Sequence, residues 1–153
     1  MPSPVRRADR EFLPTRRSRA PAPPGSGTPA GRILLADPCP DTVESMAWLL
    51  RLWGYAVETA ASGPEALEAA LATRPDVVLM ELALPRLDGL QVARRLRQSA
   101  GEPIPLLVAV SGYGSEKDRA RSREAGFDCH FVKPVCPEVV RAWLVTNCVH
   151  AGG

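Results

Sequence analysis

From Asp76 to Gly89 the chain reads DVVLMELALPRLDG. Four apolar residues precede Glu81, and a segment with turn-forming residues follows it. An apolar strand that ends in an acidic side chain is typical of open α/β sheets, which place reactive groups at the carboxyl ends of their strands. The stretch therefore predicts that Glu81 lies at one rim of a parallel sheet.

Strand-like and helix-like segments alternate on both sides of this stretch. Short apolar runs predict strands at residues 33–36, 55–60, 77–81, 106–110 and 129–132. Helical spacing of apolar residues and capping patterns predict helices at 41–53, 62–71, 88–99, 115–125 and 137–148. Such β-α units predict a doubly wound (βα)5 flavodoxin-like α/β fold with a parallel sheet in the order 2-1-3-4-5.

Several local features of the helices can be predicted as well. Asp41 is placed to cap the first helix, and Ser62 with Glu65 forms a capping-box pattern at the start of the second. Gly126 is expected to end the fourth helix in a left-handed conformation. The tryptophans occur at helical spacing, and we expect them to pack rather than to bind a ligand: Trp48, Trp53 and Trp143.

The N-terminal segment differs in composition from the remainder of the chain. Residues 1–31 contain repeated prolines and glycines without hydrophobic periodicity, which predicts a disordered Arg/Pro-rich tail before a domain at 32–149 and a short tail at 150–153. The segment 1–31 holds six arginines and two acids, which gives it a net charge of +4. Since the whole chain has a net charge of +2, the remainder carries −2. The basic average therefore does not indicate a nucleic-acid-binding domain.

Composition also excludes some classes of protein. No apolar stretch approaches the roughly 20 residues that cross a bilayer, and no signal-peptide pattern follows Met1. We therefore expect a cytoplasmic protein without a membrane partner. The cysteines form no Cys-x-x-Cys pair and no zinc-finger spacing, so we expect reduced thiols at Cys39, Cys129, Cys136 and Cys148.

Short motifs at the ends of the predicted strands resemble, in their order, those of response-regulator receiver domains, the CheY-like family. Each motif is weak alone, but each follows the expected strand. The matching stretches are Ile33-Leu34-Leu35-Ala36-Asp37, Asp76-Val77-Val78-Leu79-Met80-Glu81, Leu84-Pro85-Arg86-Leu87-Asp88-Gly89, Val110-Ser111-Gly112 and Val132-Lys133-Pro134. The resemblance implies a role in bacterial two-component, phosphorelay signal transduction.

The resemblance also implies a site with two departures from the family pattern. In the family, an aspartate at the position of Glu81 accepts a phosphoryl group, and two adjacent acids after the first strand help to bind Mg²⁺. Here the adjacent pair reads Ala36-Asp37, so one acid is missing. The hydroxyl group and the lysine that contact the phosphoryl group in the family are matched by Ser111 and Lys133.

The family resemblance carries three further expectations, for His130, for Pro134 and for a possible metal site. His130 stands where the family has a switching Tyr or Phe. We expect it to be a partly exposed substitute for that ring, and the alternative is a switch that titrates near neutral pH. Pro134 stands where a cis peptide bond is frequent. If a metal binds, its ligands are Asp37, Glu81 and the backbone carbonyl of Ala83. The loss of one acid weakens the attraction for Mg²⁺, and we expect no cofactor to be required.

The glutamate leaves three readings of the site open. Its carboxylate extends one methylene further than that of aspartate, so it could approach Lys133 and Ser111 and imitate part of the charge added by phosphorylation. Alternatively, Glu81 is a solvated loop acid on a retired site. In the third reading the site still accepts a phosphoryl group.

These observations predict a stand-alone atypical receiver module that is not an enzyme and acts through protein contacts. The stand-alone expectation follows from the short sequence after the fifth helix. The expected partner is a histidine kinase, another response regulator or an effector, and a homodimer through the 115–149 face stays open. The alternative is a Mg²⁺-dependent, phosphoryl-accepting regulator. Nucleic-acid binding through residues 1–31 is a third, less favoured hypothesis.

Overall fold

The computed structural model describes residues 31–99, 101 and 104–148. Within these residues the strands are β1 Arg32–Ala36, β2 Ala56–Ala60, β3 Val77–Glu81, β4 Leu106–Ser111 and β5 Cys129–Val132. The helices are α1 Pro40–Leu52, α2 Gly63–Thr73, α3 Gly89–Ser99, α4 Glu116–Ala125 and α5 Pro137–Cys148. The predicted N-terminal tail, apart from Gly31, and the predicted C-terminal tail lie outside the described residues.

The strands form one parallel sheet in the order β2-β1-β3-β4-β5, which confirms the predicted topology. Near the carboxyl ends, Glu81 is paired with Val110 and Ser111 with Val132. Because all strands point the same way, the loops that follow β1, β3, β4 and β5 meet at one edge of the sheet.

The sheet separates two hydrophobic clusters. Helices α1 and α5 cover one face, and α2, α3 and α4 contribute to the cluster on the other. Successive residues of β3 alternate between them, with Val77 and Leu79 on the α1/α5 side and Val78 and Met80 on the opposite side. Burial on both faces explains why the strand is continuously apolar rather than alternating.

The start of α1 differs from the prediction. The helix begins at Pro40, its N-cap is Cys39 without a side-chain hydrogen bond, and Asp41 lies in the first turn. The prediction that Asp41 caps this helix is therefore wrong. Proline has no N–H to satisfy and its φ suits the first helical position, so Pro40 starts the helix earlier than Asp41 would.

The other predicted caps are mostly present. Ser62 Oγ accepts a hydrogen bond from the Glu65 amide at 3.3 Å, but the Glu65 carboxylate accepts from the Ala61 amide rather than from Ser62, so the capping box is incomplete. Gly126 ends α4 with φ +114°, as predicted. A complete capping box at Ser115, closed by the Asp118 carboxylate, was not predicted.

The tryptophan prediction is correct in part. Trp143 is buried and Trp53 packs against the same α1/α5 cluster. Trp48 is 63% exposed, so the expectation that it packs is wrong. Its neighbour Ala47 and Leu50 form the buried side of α1, which turns Trp48 outward.

Two further expectations concern membrane-spanning helices and the state of the cysteines. No helix among the described residues combines the length and the apolarity needed to cross a bilayer. Cys39, Cys129 and Cys136 are free thiols, as predicted. The prediction for Cys148 concerns a side chain outside the described part of the chain.

Candidate functional site

Backbone hydrogen bonds beyond the strand ends position two of the predicted site residues. The Asp37 amide donates to the Ala60 carbonyl at 3.0 Å, and the Lys133 amide donates to the Ser111 carbonyl at 2.8 Å. These bonds continue the ladders one residue past β1 and β5. Asp37 and Lys133 are thereby held at the same rim of the sheet, and the peptide bond from Lys133 to Pro134 is cis, as the family resemblance implied.

The chain turns tightly after Glu81, the last residue of β3. The Gly89 amide donates to the Leu82 carbonyl at 2.8 Å. A Cβ atom at position 89 would lie 2.8 Å from the Glu81 carbonyl oxygen. Glycine therefore permits α3 to begin directly against the last residue of β3.

Three charged side chains converge at this rim. Lys133 Nζ lies 2.7 Å from Glu81 Oε1 and 2.8 Å from Asp37 Oδ2. The side chains of Glu81 and Asp37 are only 10% and 6% exposed, whereas that of Lys133 is 31% exposed. Glu81 is thus a buried, paired carboxylate, and the reading of Glu81 as a solvated loop acid does not hold.

The remaining oxygens of both carboxylates also have partners. Asp37 Oδ1 accepts from the Cys39 amide at 2.8 Å, and Glu81 Oε2 accepts from the Ala83 amide at 3.0 Å. Each carboxylate therefore receives one backbone N–H and one ammonium N–H. Every carboxylate oxygen of the pair therefore has one charged or backbone donor.

The ion pairs change the acidity of the lysine. Partial burial by itself lowers the pKa of Lys133, but hydrogen bonds and charges from Asp37 and Glu81 outweigh this effect and raise the pKa above its ordinary value. Lys133 is therefore an ammonium at neutral pH. The three side chains together carry a net charge of −1, from two carboxylates and one ammonium.

Ser111 ends β4, the strand between β3 and β5, but its side chain has other partners than this cluster. The side chain is fully buried, and its Oγ accepts a hydrogen bond from the Tyr113 amide at 3.1 Å. The mimicry hypothesis placed Glu81 near both Lys133 and Ser111. Among the hydrogen bonds of the described residues, Glu81 reaches Lys133, whereas Ser111 bonds to its own loop.

His130 is buried rather than partly exposed. Only 4% of the residue is accessible, so the expectation of a partly exposed ring is wrong. Its Nδ1 lies 2.9 Å from Ser122 Oγ, and its Nε2 lies 2.9 Å from the Tyr113 carbonyl oxygen. The ring links β5, α4 and the loop after β4, because it can form a hydrogen bond at each nitrogen.

The partners of His130 define its neutral tautomer. A carbonyl oxygen only accepts, so Nε2 must donate to Tyr113. Nδ1 of the neutral ring can then accept from the Ser122 hydroxyl only in place of the bond that this hydroxyl donates to the Arg119 carbonyl at 3.0 Å. Burial lowers the pKa of His130; the hydrogen bond to the Tyr113 carbonyl opposes this shift, and the charge of Arg119 adds to it.

The donors present do not fit a Mg²⁺ ion as they are arranged. The family pattern supplies three carboxylates, whereas here Ala36 replaces one and the other two are both paired with Lys133 Nζ. Among the described residues there is no cluster of three or more acidic, histidine or cysteine side chains that could hold a metal. A hard divalent cation at Asp37, Glu81 and the Ala83 carbonyl would have to displace the ammonium.

Sequence reasoning missed a repeated local feature of the site. Each of the polar residues at the ends of β1, β3 and β4 accepts a hydrogen bond from the amide two positions later, in the pairs Asp37–Cys39, Glu81–Ala83 and Ser111–Tyr113. The tendency of Asp and Ser to bond the backbone two residues on could have indicated two of these pairs. Ser122, by contrast, meets His130 only through tertiary packing, and no local pattern marks it.

Comparisons with known proteins agree with this fold. The family model described as "Response regulator receiver domain" matches residues 33–144. "Response regulator MprA" of Mycolicibacterium vanbaalenii and that of Mycobacterium leprae are each 40% identical over 111 residues. The aligned part is 72% of this chain but 47% and 48% of those relatives, so the chain spans about half of their length.

Solved structures are similar over most of the chain. A CheY-like response regulator receiver domain protein from Methanospirillum hungatei is 27% identical with a TM-score of 0.70, covering 75% of this chain and 90% of that one. The receiver domain of sensor histidine kinase PA1611 from Pseudomonas aeruginosa has the same identity and TM-score and covers 76% and 96%. That structure has a magnesium ion coordinated in its active-site cleft.

Proposed function

The chain belongs to the response regulator receiver domain family, and on that premise we propose that it is an atypical receiver module whose state is not set by phosphorylation at Glu81. The module works in two-component signal transduction and acts through protein contacts rather than as an enzyme. The single observation that carries the proposal is the 2.7 Å contact between Lys133 Nζ and Glu81 Oε1.

The physical argument concerns the counterion of Lys133. In the family this lysine pairs with the phosphoryl group, as the resemblance implies. Here a glutamate carboxylate lies at the end of the same ammonium. The charge partner that phosphorylation would supply is therefore provided by the chain itself, and Lys133 is paired without a phosphoryl group.

The imitation of phosphorylation is partial. Ser111 bonds the Tyr113 amide, and His130 is fixed between Tyr113 and Ser122. The lysine is thus engaged by Glu81, while the hydroxyl and the ring are engaged by other groups. We propose that this combination is a fixed conformational bias, on which partner binding acts through its differential affinity for conformers.

The partners are proposed from the family. They are a histidine kinase, another response regulator or an effector in the cytoplasm, with a homodimer through the 115–149 face as a further arrangement. A metal cofactor is not part of the proposal, since the two carboxylates of the site are already paired with Lys133. Nucleic acid is not part of it either. Sedimentation velocity over a range of concentrations tests the homodimer.

The alternative is a regulator that accepts a phosphoryl group with Mg²⁺ held by Asp37 and Glu81. Incubation with acetyl phosphate and Mg²⁺, followed by intact-mass measurement, separates the two functions. We expect no stoichiometric mass gain for the natural chain. The positive control is the double variant Ala36→Asp with Glu81→Asp, which restores the family's acids and is expected to gain one phosphoryl group under the same conditions.

The opposite result has a clear form. If the natural chain gains one phosphoryl group and Glu81→Gln abolishes the gain, the alternative is correct and the proposal is wrong. The Glu81→Gln variant is the appropriate comparison because it keeps the length of the side chain and removes only its charge.

A further inference from the structure

A cleft of about 550 Å³ opens on the α1/α5 face of the sheet, beside the charged cluster. Strand residues form its floor, α1 forms one wall and the start of α5 the other. Its apolar lining includes Leu35, Leu79, Val110, Met46, Leu49 and Val140. The volume falls within the range of roughly 300–1,000 Å³ that is typical of pockets for small organic molecules.

The polar end of the same cleft has a definite charge. Asp37, Glu81 and Lys133 all line it, and their net charge is −1. Each carboxylate oxygen has one hydrogen-bond donor, and a carboxylate oxygen can accept from two. The cluster can therefore receive a further positively charged N–H group, whereas an anion would meet two acids.

We propose that this cleft binds a small organic amine, with its protonated amino group at Asp37 and Glu81 and its apolar body between α1 and α5. The apolar lining favours a body without polar groups, because transfer of apolar surface out of water stabilises the complex. The amino group gives orientation, since only one end of the cleft is charged. This inference is independent of whether Glu81 accepts a phosphoryl group.

Occupation of the cleft would act on the ion pairs at its end. A second cation at the carboxylates competes with Lys133 for their lone pairs and repels its ammonium. The amine therefore lowers the pKa of Lys133, and it weakens the contact that carries the proposed fixed bias. A small molecule would in this way change the interactions of Lys133, the residue that contacts the phosphoryl group in the family.

The test uses three probes that share one apolar body: 4-phenylbutylamine, 4-phenylbutan-1-ol and 4-phenylbutanoate. Calorimetry and amide chemical shifts of the full chain measure binding of each. We expect the amine to bind at least about tenfold more tightly than the acid, because its positive charge is attracted to the two carboxylates. A tenfold ratio of Kd values corresponds to about 1.4 kcal/mol. The alcohol should lie between them.

Two substitutions locate the site. Ser45 and Thr146 are both exposed helical residues whose hydroxyl donates to the carbonyl four positions earlier. Ser45 lines the cleft, whereas Thr146 does not. Ser45→Phe should block amine binding, whereas the matched control Thr146→Phe should not. Circular dichroism establishes that both variants are folded.

Asp37→Asn is a second variant that does not depend on blocking the cleft. It should remove most of the preference for the amine over the acid while the alcohol still binds. The proposal is overturned if the amine does not bind at millimolar concentration, if the acid binds as tightly as the amine, or if folded Ser45→Phe binds the amine like the natural chain.

Discussion

Glu81 and Lys133 form an ion pair with 2.7 Å between Oε1 and Nζ, although Glu81 ends β3 and Lys133 directly follows β5, which is not a neighbour of β3 in the sheet. Strand β4 lies between β3 and β5, so the two side chains reach across its end. The longer side chain of glutamate, by about 1.5 Å relative to aspartate, suits it to this span.

This contact predicts the effect of removing the charge of Glu81. Glu81→Gln keeps the side-chain length but leaves Lys133 with Asp37 alone, so the pKa of Lys133 should fall. Because Lys133 is partly exposed, the cost to the free energy of unfolding should be on the order of 1 kcal/mol. Urea denaturation and an NMR titration of the lysine ε-carbons measure the two effects. Glu68→Gln, an exposed change on α2, is the control.

The prediction fails if Glu81→Gln leaves the titration of Lys133 unchanged. Lys117 is the other lysine of the chain, and its signal provides an internal reference in the same titration.

High pH should weaken the fold through Lys133. Its pKa is raised in the folded state, so its contribution is fully present below the ordinary value of 10.5 and is lost as pH rises through the folded pKa. The free energy of unfolding of the natural chain should therefore decrease above pH 10.5, and Lys133→Met should show a smaller decrease. Tyrosine side chains as a class also titrate in alkaline solution. Lys117→Met is the control, because it removes a lysine and keeps every tyrosine. An equal decrease of the free energy of unfolding with pH in all three proteins would contradict the assignment to Lys133.

Low pH should weaken the fold through His130. Burial lowers its pKa below 6.5, so between the folded pKa and 6.5 the unfolded chain binds a proton that the folded chain does not. The free energy of unfolding should then decrease as pH falls through 6.5. Denaturation between pH 5 and pH 7.5 measures this slope. The groups that bias the ring are the Tyr113 carbonyl and the charges of Arg119, Asp118 and Glu81.

His130→Phe should remove that part of the pH dependence, because phenylalanine has no proton to bind. The chain's other histidine, His150, lies outside the described residues, so His150→Gln is the comparison that separates its contribution to the slope from that of His130. If His130→Phe retains the full slope, another group is responsible and the buried ring does not titrate in this range.

The fold and the charged cluster were predictable for the same reason. Alternation of β and α segments fixes the doubly wound topology, and that topology gathers the ends of β1, β3 and β5, where Asp37, Glu81 and Lys133 stand. The sequence could not show the orientation of Ser111 or His130. Their directions depend on hydrogen bonds to the Tyr113 backbone and to Ser122 on α4, which only tertiary packing creates.

Arg97 shows the same limit at a site away from the cluster. Its position in the last turn of α3 favours a general interaction of its charge with the helix dipole. The structure gives it a specific role, because its Nε and Nη2 donate to the Gly126 carbonyl and Nη2 also lies 2.8 Å from Asp128 Oδ2. The same Asp128 oxygen accepts from the Leu107 amide. One guanidinium thus joins α3 to the segment between α4 and β5.

We therefore expect Arg97→Ala to lower the free energy of unfolding by about 1–3 kcal/mol, because it leaves a carbonyl and a carboxylate with one donor fewer. Arg97→Lys should recover only part of this loss, since an ammonium cannot reproduce the forked geometry of a guanidinium. Arg97→Lys keeps a positive charge in the last turn of the helix and so separates this contact from the helix dipole, and Arg94→Ala is the comparison for losing an exposed arginine earlier on the same helix. Urea denaturation of the three variants checks the order, and an Arg94→Ala loss equal to that of Arg97→Ala would show that charge alone, and not the bridge to Asp128, stabilises this part of the fold.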